Sequence, residues 1–164
     1  MKISHARFAA ALAGAAFSAT ASAGYHVTAF GNTPGFDQIM AEEYNSANTL
    51  LAAPSYTASQ YARLANLCIA QLKSEDVDAA LGSCNRALSK APAELRSSLV
   101  SLNHKRAEVM THLYSNRGVV RAIKGDTYGA RSDFERAVAL DADNDNARRN
   151  LEYVANSELA QRSE

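Results

Sequence analysis

Two cysteines are the residues of this sequence best suited to do chemistry. Cys68 and Cys84 fall on the two arms of a predicted helical hairpin, at matching heights, which would allow a disulfide in an oxidising compartment. Closing a loop of about 15 residues would stabilise the fold by roughly 3 kcal/mol. The alternative is two small thiols that fill the helix interface. A zinc site that adds His104 and His112 fits no standard ligand spacing, so no metal is expected.

An acidic run from Asp141 to Asp145 is the second candidate site. Glu152 occupies the place of the last ligand of a calcium-binding EF-hand loop that begins at Asp141. However, Asn146 stands where that loop needs glycine for its sharp turn. The favoured interpretation is a polar turn in which Asn144 or Asp145 caps the next helix.

Arg117, Arg121 and Lys124 form the third candidate, because their spacing places them on one face of a helix. Such a basic stripe is suited to an acidic peptide. The favoured alternative is a solvated face, or a face whose charge is neutralised by Glu108 or Asp133.

Catalytic patterns are scarce in this chain. No serine lies in a G-x-S-x-G turn, and no glycine-rich loop could hold a phosphate. The three histidines that follow residues 1–23, His26, His104 and His112, have no metal-ligand spacing. We therefore expect a protein that is not an enzyme and carries no cofactor.

The elements that must position these groups are helices, because apolar residues recur at helical spacing through most of the chain. Pro92 is expected to end one of them. A continuous apolar phase over 94–124 predicts one long helix or two nearly coaxial ones. Another predicted helix begins near Phe36. The remaining ones span Glu42–Ala52, Ser59–Lys73, Val77–Lys90, Asp126 or Thr127 to Leu140, and Asn144–Ser157.

Two segments, 61–94 and 111–144, repeat one pattern of small and large residues. Four positions correspond when the segments are overlaid: Cys68 with Gly118, Ala80 with Ala130, Cys84 with Phe134, and Ala87 with Ala137. This pattern resembles the tetratricopeptide repeat, a helical hairpin of about 34 residues. The later segment departs from the earlier one at Arg117, which takes the place of Leu67.

The resemblance implies an all-α fold, a short α-solenoid of antiparallel helix hairpins with about two and a half repeats. Its helical domain would span 41–157, with an inserted helix at 95–110 and a capping helix at 145–157. Residues 24–40 are expected to be irregular, and the polar tail, 158–164, is expected to fray.

The resemblance also implies a binding face. In this family, ligands lie along the surface formed by the first helix of each repeat, where an asparagine often holds the peptide backbone. The corresponding residues here are Asn66, His112, Ser115, Asn116, Val119, Arg149, Asn150 and Tyr153. Asparagine both donates and accepts hydrogen bonds, and Arg149 is suited to hold a carboxylate. The alternative is that Asn66 and Asn116 bond only to neighbouring helices.

The first 23 residues are organised like a secretory signal peptide. Lys2 and Arg7 precede the apolar residues 8–17, and Ala21 and Ala23 flank Ser22 in a small-x-small cleavage pattern. The apolar stretch is too short to span a membrane, which takes about 20 residues. We therefore predict that residues 1–23 are removed and that the protein is exported, by analogy to a bacterial periplasm.

Charge limits the choice of partner. The chain has 17 basic and 17 acidic residues, and two of the basic ones leave with the predicted signal peptide. A slightly acidic protein is not expected to bind nucleic acid. No other long apolar stretch predicts membrane insertion of the remaining chain.

These features predict an exported protein–protein interaction module that binds a partner protein or peptide through the concave face of the stack. One alternative is a permanent structural subunit of an envelope assembly. Another is an enzyme or enzyme accessory that uses the stack as a scaffold. The sequence leaves the partner and the oligomeric state open.

Overall fold

The structure is a computed structural model that describes residues 24–53, 59–97 and 103–162. The described residues form helices without strands, which confirms the predicted all-α fold. The seven helices are α1 (Phe36–Met40), α2 (Tyr44–Ala52), α3 (Gln60–Lys73), α4 (Val77–Ser97), α5 (Asn103–Lys124), α6 (Thr127–Leu140) and α7 (Asp145–Arg162).

The helices pack mainly in adjacent pairs, as in a helical-repeat stack. The most extensive contacts join α3 with α4 and α5 with α6, and α7 covers α6 and α5 at one end. The first helices of successive pairs, α3 and α5, also touch each other, as do α5 and α7. These three are called the inner helices below. Their adjacency aligns them as one surface.

The core is built from small residues where helices approach closely. Ala80 of α4 and Ala130 of α6 are fully buried, as are Ala87 and Ala137, each seven residues later. Gly118 lies against the ring of Phe134, and a Cβ atom at Gly118 would be only 2.5 Å from that ring. The repeated small positions of the sequence therefore mark the helix contacts.

The two cysteines lie at disulfide-bonding distance, as predicted. Cys68 on α3 and Cys84 on α4 form an S–S pair with a Cα–Cα distance of 5.3 Å, within the limit of about 7 Å for a disulfide. Both are buried in the cluster that contains Phe134 and Val119. The bond joins the two helices of the first full hairpin.

The prediction that Pro92 ends a helix is wrong, because α4 continues past it to its end five residues later. A proline removes one helical hydrogen bond and crowds the preceding turn. Here Ala91 is fully buried and packs in a core cluster against which Leu95 also lies. Glu94 accepts a hydrogen bond of 3.0 Å from the Ser59 hydroxyl at the start of α3. Tertiary contacts therefore hold the turn that follows the proline.

The prediction of coaxial helices over 94–124 is also wrong, because α4 and α5 lie antiparallel. Arg117 donates to Asn85 at 3.0 Å, and Lys124, at the end of α5, pairs with Asp78, near the start of α4, at 2.5 Å. Contacts that advance along α5 thus recede along α4, which requires a chain reversal between them. The apolar phase is continuous because both helices contribute to one core cluster.

The C-terminal helix is longer than predicted. It extends to Arg162, whereas the sequence pattern predicts an end at Ser157 and fraying from Glu158. Glu158 forms an ion pair of 3.0 Å with Arg131 of α6, and the Glu158 side chain is 18% exposed. This contact anchors the last turns of α7 on the neighbouring helix.

Some predicted features lie outside the described residues. They are the signal peptide, 1–23, the middle of the inserted helix, 98–102, and the last two residues of the polar tail. The predicted irregular segment 24–40 is described: 24–35 contain neither helix nor strand, and 36–40 form α1.

Candidate protein-binding surface

Each inner helix carries one buried asparagine. Asn66 lies on α3, Asn116 on α5 and Asn150 on α7, and their exposed fractions are 0%, 1% and 0%. A buried side-chain amide has one acceptor and two donors, which must be satisfied within the protein. These three residues are called the asparagine row below.

The partner of the asparagine row is the segment of this same chain that precedes α1. Each asparagine accepts a hydrogen bond from the backbone N–H of one segment residue and donates one to the carbonyl oxygen of the same residue. The accepting and donating distances are 2.7 and 2.7 Å for Asn150 with His26, 2.8 and 2.9 Å for Asn116 with Thr28, and 2.8 and 3.0 Å for Asn66 with Phe30. Residues 24–35 are called the N-terminal segment.

The spacing of these pairs defines the conformation of the segment. Every second residue is paired, which is the period of an extended chain, in which the N–H and C=O of one residue lie along the same edge. The segment runs from α7 across α5 to α3, opposite to the order of the inner helices in the sequence. Because the pairs involve only the backbone of the segment, they tolerate different segment side chains but require an N–H at each paired position.

The side chains between the paired residues enter the core. Tyr25 stacks on Phe134 with ring centroids 5.8 Å apart and meets Tyr153 edge-on at 4.6 Å. Val27 packs against two core clusters, and Ala29 packs against the cluster of α1, α2 and α3. The segment therefore contributes to the hydrophobic core.

Phe30 marks the other end of the contact. Its ring meets Tyr61 of α3 edge-on at 5.8 Å and His112 of α5 edge-on at 6.2 Å. Such pairs contribute about 0.5–1.5 kcal/mol beyond the area that they bury. The aromatic contacts of Tyr25 and Phe30 thus fix the register of the segment at both ends.

Two glycines allow the segment to fit. Gly24 lies against Tyr153, where a Cβ atom would be 2.2 Å from the ring. Gly35 has a φ of 81°, and a Cβ atom there would lie 2.5 Å from Leu51. A left-handed residue costs glycine little, so the chain can turn at this point into α1.

The hydrogen bonds and ring contacts of the segment are made with asparagine amides and aromatic rings. The segment itself contains no Asp, Glu, Lys or Arg. Burial lowers the pKa of His112 below its usual 6.5, although Glu108 and Asp141 act in the opposite direction. Burial also raises the pKa of Tyr25 above 10.0. Both shifts favour the uncharged form, as expected for an apolar site.

The structure brings most of the predicted binding residues to the N-terminal segment. The side chains of Asn66, Asn116 and Asn150 bond to the backbone of this segment. Asn150 also donates to Ser115 of α5 at 3.0 Å. His112 and Tyr153 contact the aromatic side chains of the N-terminal segment. The remaining two residues differ: Val119 is a core residue, 2% exposed, and Arg149 lies exposed on α7.

Sequence reasoning did not find the segment itself. A signal was available, because Tyr25, Val27 and Ala29 alternate with other residues in the way of a short extended chain. Tyr61, which meets Phe30, also went unpredicted. This alternation does not identify the surface that the segment contacts.

The basic stripe on α5 is neutralised, as its favoured interpretation predicts. Arg117 makes two hydrogen bonds with Asp133, at 2.8 and 2.6 Å, and Arg121 pairs with the same carboxylate at 3.0 Å. The hydrogen bond to Asp133 is the largest cause that raises the pKa of Arg117. Lys124 pairs with Asp78 of α4. The stripe therefore joins α5 to its neighbours.

The acidic turn before α7 is a helix cap. The Asn144 side-chain oxygen accepts a hydrogen bond of 3.0 Å from the backbone N–H of Ala147, and Asp145 pairs with Arg148. Within the ranges described, no cluster of three or more His, Cys, Asp and Glu side chains is arranged to hold a metal ion.

Comparison with models of protein families, with characterised proteins and with solved structures found no significant match to this chain. Over the described part of the chain, no helix combines the length and the apolar character needed to cross a membrane.

Proposed function

We propose that this chain is an exported, tetratricopeptide-like interaction module that binds an extended segment of another protein along its inner helices. The observation that carries this proposal is the asparagine row, which pairs with both the N–H and the C=O of alternate residues in an extended chain. The N-terminal segment occupies this surface in the way that a bound peptide would.

The energetics of the surface support the proposal. The asparagine row makes six hydrogen bonds with the segment, each of which contributes about 0.5–1.5 kcal/mol net. The segment is tethered by a short connection, so its effective concentration at the surface is in the millimolar range or above. A partner must therefore displace the segment, which restricts the surface to ligands that fit it well.

Sequence and disulfide together support export. Residues 1–23 have the organisation of a signal peptide, and Cys68 and Cys84 lie at bonding distance. Disulfides persist in oxidising compartments, of which the bacterial periplasm is one. The periplasm is thus the proposed location.

Photocrosslinking in the native envelope tests the binding surface. Benzoylphenylalanine replaces Tyr153, which touches the N-terminal segment and is 41% exposed, or Tyr128, which is 86% exposed on the outer helix α6. We expect protein adducts from position 153 that are absent at position 128 and are reduced by Asn116→Ala. Identical adducts at both positions, unaffected by Asn116→Ala in a folded protein, would refute the proposal.

A second candidate is a permanent subunit of an envelope assembly. It is favoured by apolar side chains exposed at the two ends of the stack: Met40 (66%) and Leu50 (46%) on α1 and α2, and Leu159 (64%) on α7. Repeat stacks bury such end faces against a neighbour. In this case a complex of fixed composition would dissociate on Leu159→Glu and would be unaffected by Asn116→Ala.

A further inference from the structure

We infer that the inner helices select an uncharged extended ligand with a particular order of side chains. The order is an aromatic residue, any residue, a β-branched aliphatic residue, any residue, a small residue and a second aromatic residue. The chain's own Tyr25–Phe30 is the resident example. This inference rests on the proposed function and names the kind of segment that the surface accepts.

The backbone requirement follows from the asparagine row. The second, fourth and sixth ligand residues must each offer an N–H and a C=O, as His26, Thr28 and Phe30 do. A proline or an N-methylated residue at these places removes the donor and leaves a buried asparagine oxygen without its partner. An unsatisfied buried polar group costs about 1–3 kcal/mol.

The first aromatic position is defined by two rings. Tyr25 stacks on Phe134, which is fully buried, and meets the edge of Tyr153. A planar side chain fits between them, and an aliphatic one would lose both ring contacts.

The third and fifth positions contact the centre of the stack. Val27 packs against the disulfide cluster and against the cluster that contains Ile69, and Ala29 packs only against the latter. Ala29 is partly buried against that cluster, so a larger side chain in its place would require neighbouring side chains to shift. Val27 is partly buried, so a carboxylate or ammonium in its place would lose hydration against two apolar clusters.

The sixth position is the second aromatic site. Phe30 lies edge-on to Tyr61 and to His112, whose pKa is lowered by burial. A neutral imidazole suits an apolar neighbour, and a charged ligand residue would lose its hydration here. The absence of Asp, Glu, Lys and Arg from the N-terminal segment matches this environment.

The resident segment also acts as a competitor. An external ligand with the same order of side chains makes the same contacts but lacks the tether, so it binds well only when the resident segment is weakened. Weakening the resident segment within the full chain therefore exposes the selectivity of the surface to measurement.

The test uses full-length protein with Val27→Asp and a fluorescent peptide that has the sequence of residues 24–31. We expect the peptide to bind the variant about tenfold or more tightly than it binds the unmodified protein, by fluorescence anisotropy. We also expect it to raise the melting temperature of the variant. A peptide N-methylated at the Thr28 position and a peptide with Asp at the Val27 position should each lose about tenfold or more in affinity.

The outcomes separate the inference from the proposed function. If the parent and Asp-containing peptides bind equally well, the side-chain order is refuted while the function stands. If no peptide binds the folded variant, the inference is refuted, and crosslinking at Tyr153 still judges the function. If Val27→Asp does not fold, Thr28→Pro replaces it, because this variant removes the central N–H of the resident segment without adding charge.

Discussion

Asn116 and Thr28 are 88 residues apart in the sequence, yet the side chain of one and the backbone of the other form a closed two-point pair. Thr28 donates its N–H at 2.8 Å, and its carbonyl oxygen accepts from Asn116 at 2.9 Å. The pair fixes the middle of the N-terminal segment on the middle inner helix. The pair is therefore expected to contribute to stability, and it lies at the centre of the proposed binding surface.

Asn116→Ala is expected to reduce the free energy of unfolding by about 1–3 kcal/mol, because it leaves the Thr28 backbone groups without their buried partner. Urea denaturation measures the loss. Asn85→Ala is the matched control, since Asn85 is exposed and its loss should change the stability by less than about 0.5 kcal/mol. Equal effects of the two substitutions would contradict a special role for the asparagine row.

Replacement of Cys68 and Cys84 by alanine is expected to destabilise the protein by roughly 3 kcal/mol, the value for a closed loop of about 15 residues. Reduction of the unmodified protein should lower its melting temperature, whereas the double variant should not respond to reductant. Thiol labelling of unreduced protein from an oxidising compartment provides an independent check. Two labelled thiols per chain would contradict the disulfide.

The free energy of unfolding is expected to decrease as the pH falls below 6.5, because of His112. Burial lowers the pKa of this histidine in the folded protein below 6.5, so the unfolded chain takes up the proton first as the pH falls. The stabilising contribution is therefore complete above pH 6.5 and is lost as the pH falls from 6.5 through the folded pKa. Urea denaturation at a series of pH values measures this loss.

His112→Gln supplies the control for that pH dependence, because glutamine does not titrate. Its stability should change less than that of the parent protein below pH 6.5. A parent and variant with the same pH profile would assign the dependence to other groups.

Gly118→Ala is expected to destabilise the protein by about 1–3 kcal/mol, because the new Cβ atom would lie 2.5 Å from the Phe134 ring. Gly82→Ala is the matched control: it has no atom within 4 Å of the new Cβ and should stabilise α4 by about 0.5–1 kcal/mol. Thermal denaturation distinguishes the two. Destabilisation by both substitutions would mean that helix packing at Gly118 is not the cause.

The sequence by itself determines the helices whose signals are local. The cap of α6 by Asp126 and the cap of α7 by Asn144 use side chains within three residues of the N–H that they accept from. Apolar spacing likewise gives α3 and α6 nearly to their observed ends. The proximity of Cys68 and Cys84 also follows, because a short turn between two helices brings them to one height.

The tertiary structure decides what depends on distant partners. Pro92 carries a local signal to end a helix, but burial of Ala91 and the hydrogen bond that Glu94 accepts from Ser59 keep the chain helical. The reversal between α4 and α5 is hidden because both helices direct apolar residues at the same cluster. Local patterns record that a face is buried, not which neighbour buries it.

The position of the N-terminal segment depends most strongly on partners that are distant in the sequence. The row could be predicted from the sequence because its asparagines recur at equivalent places on the inner helices. Its partner could not, because the paired residues are separated by 36, 88 and 124 positions and the segment has no helix or strand of its own. An extended backbone makes its hydrogen bonds with other parts of the chain, so a local pattern does not reveal them. Only the stacked helices, by aligning three amides at the repeat of an extended chain, determine where it binds.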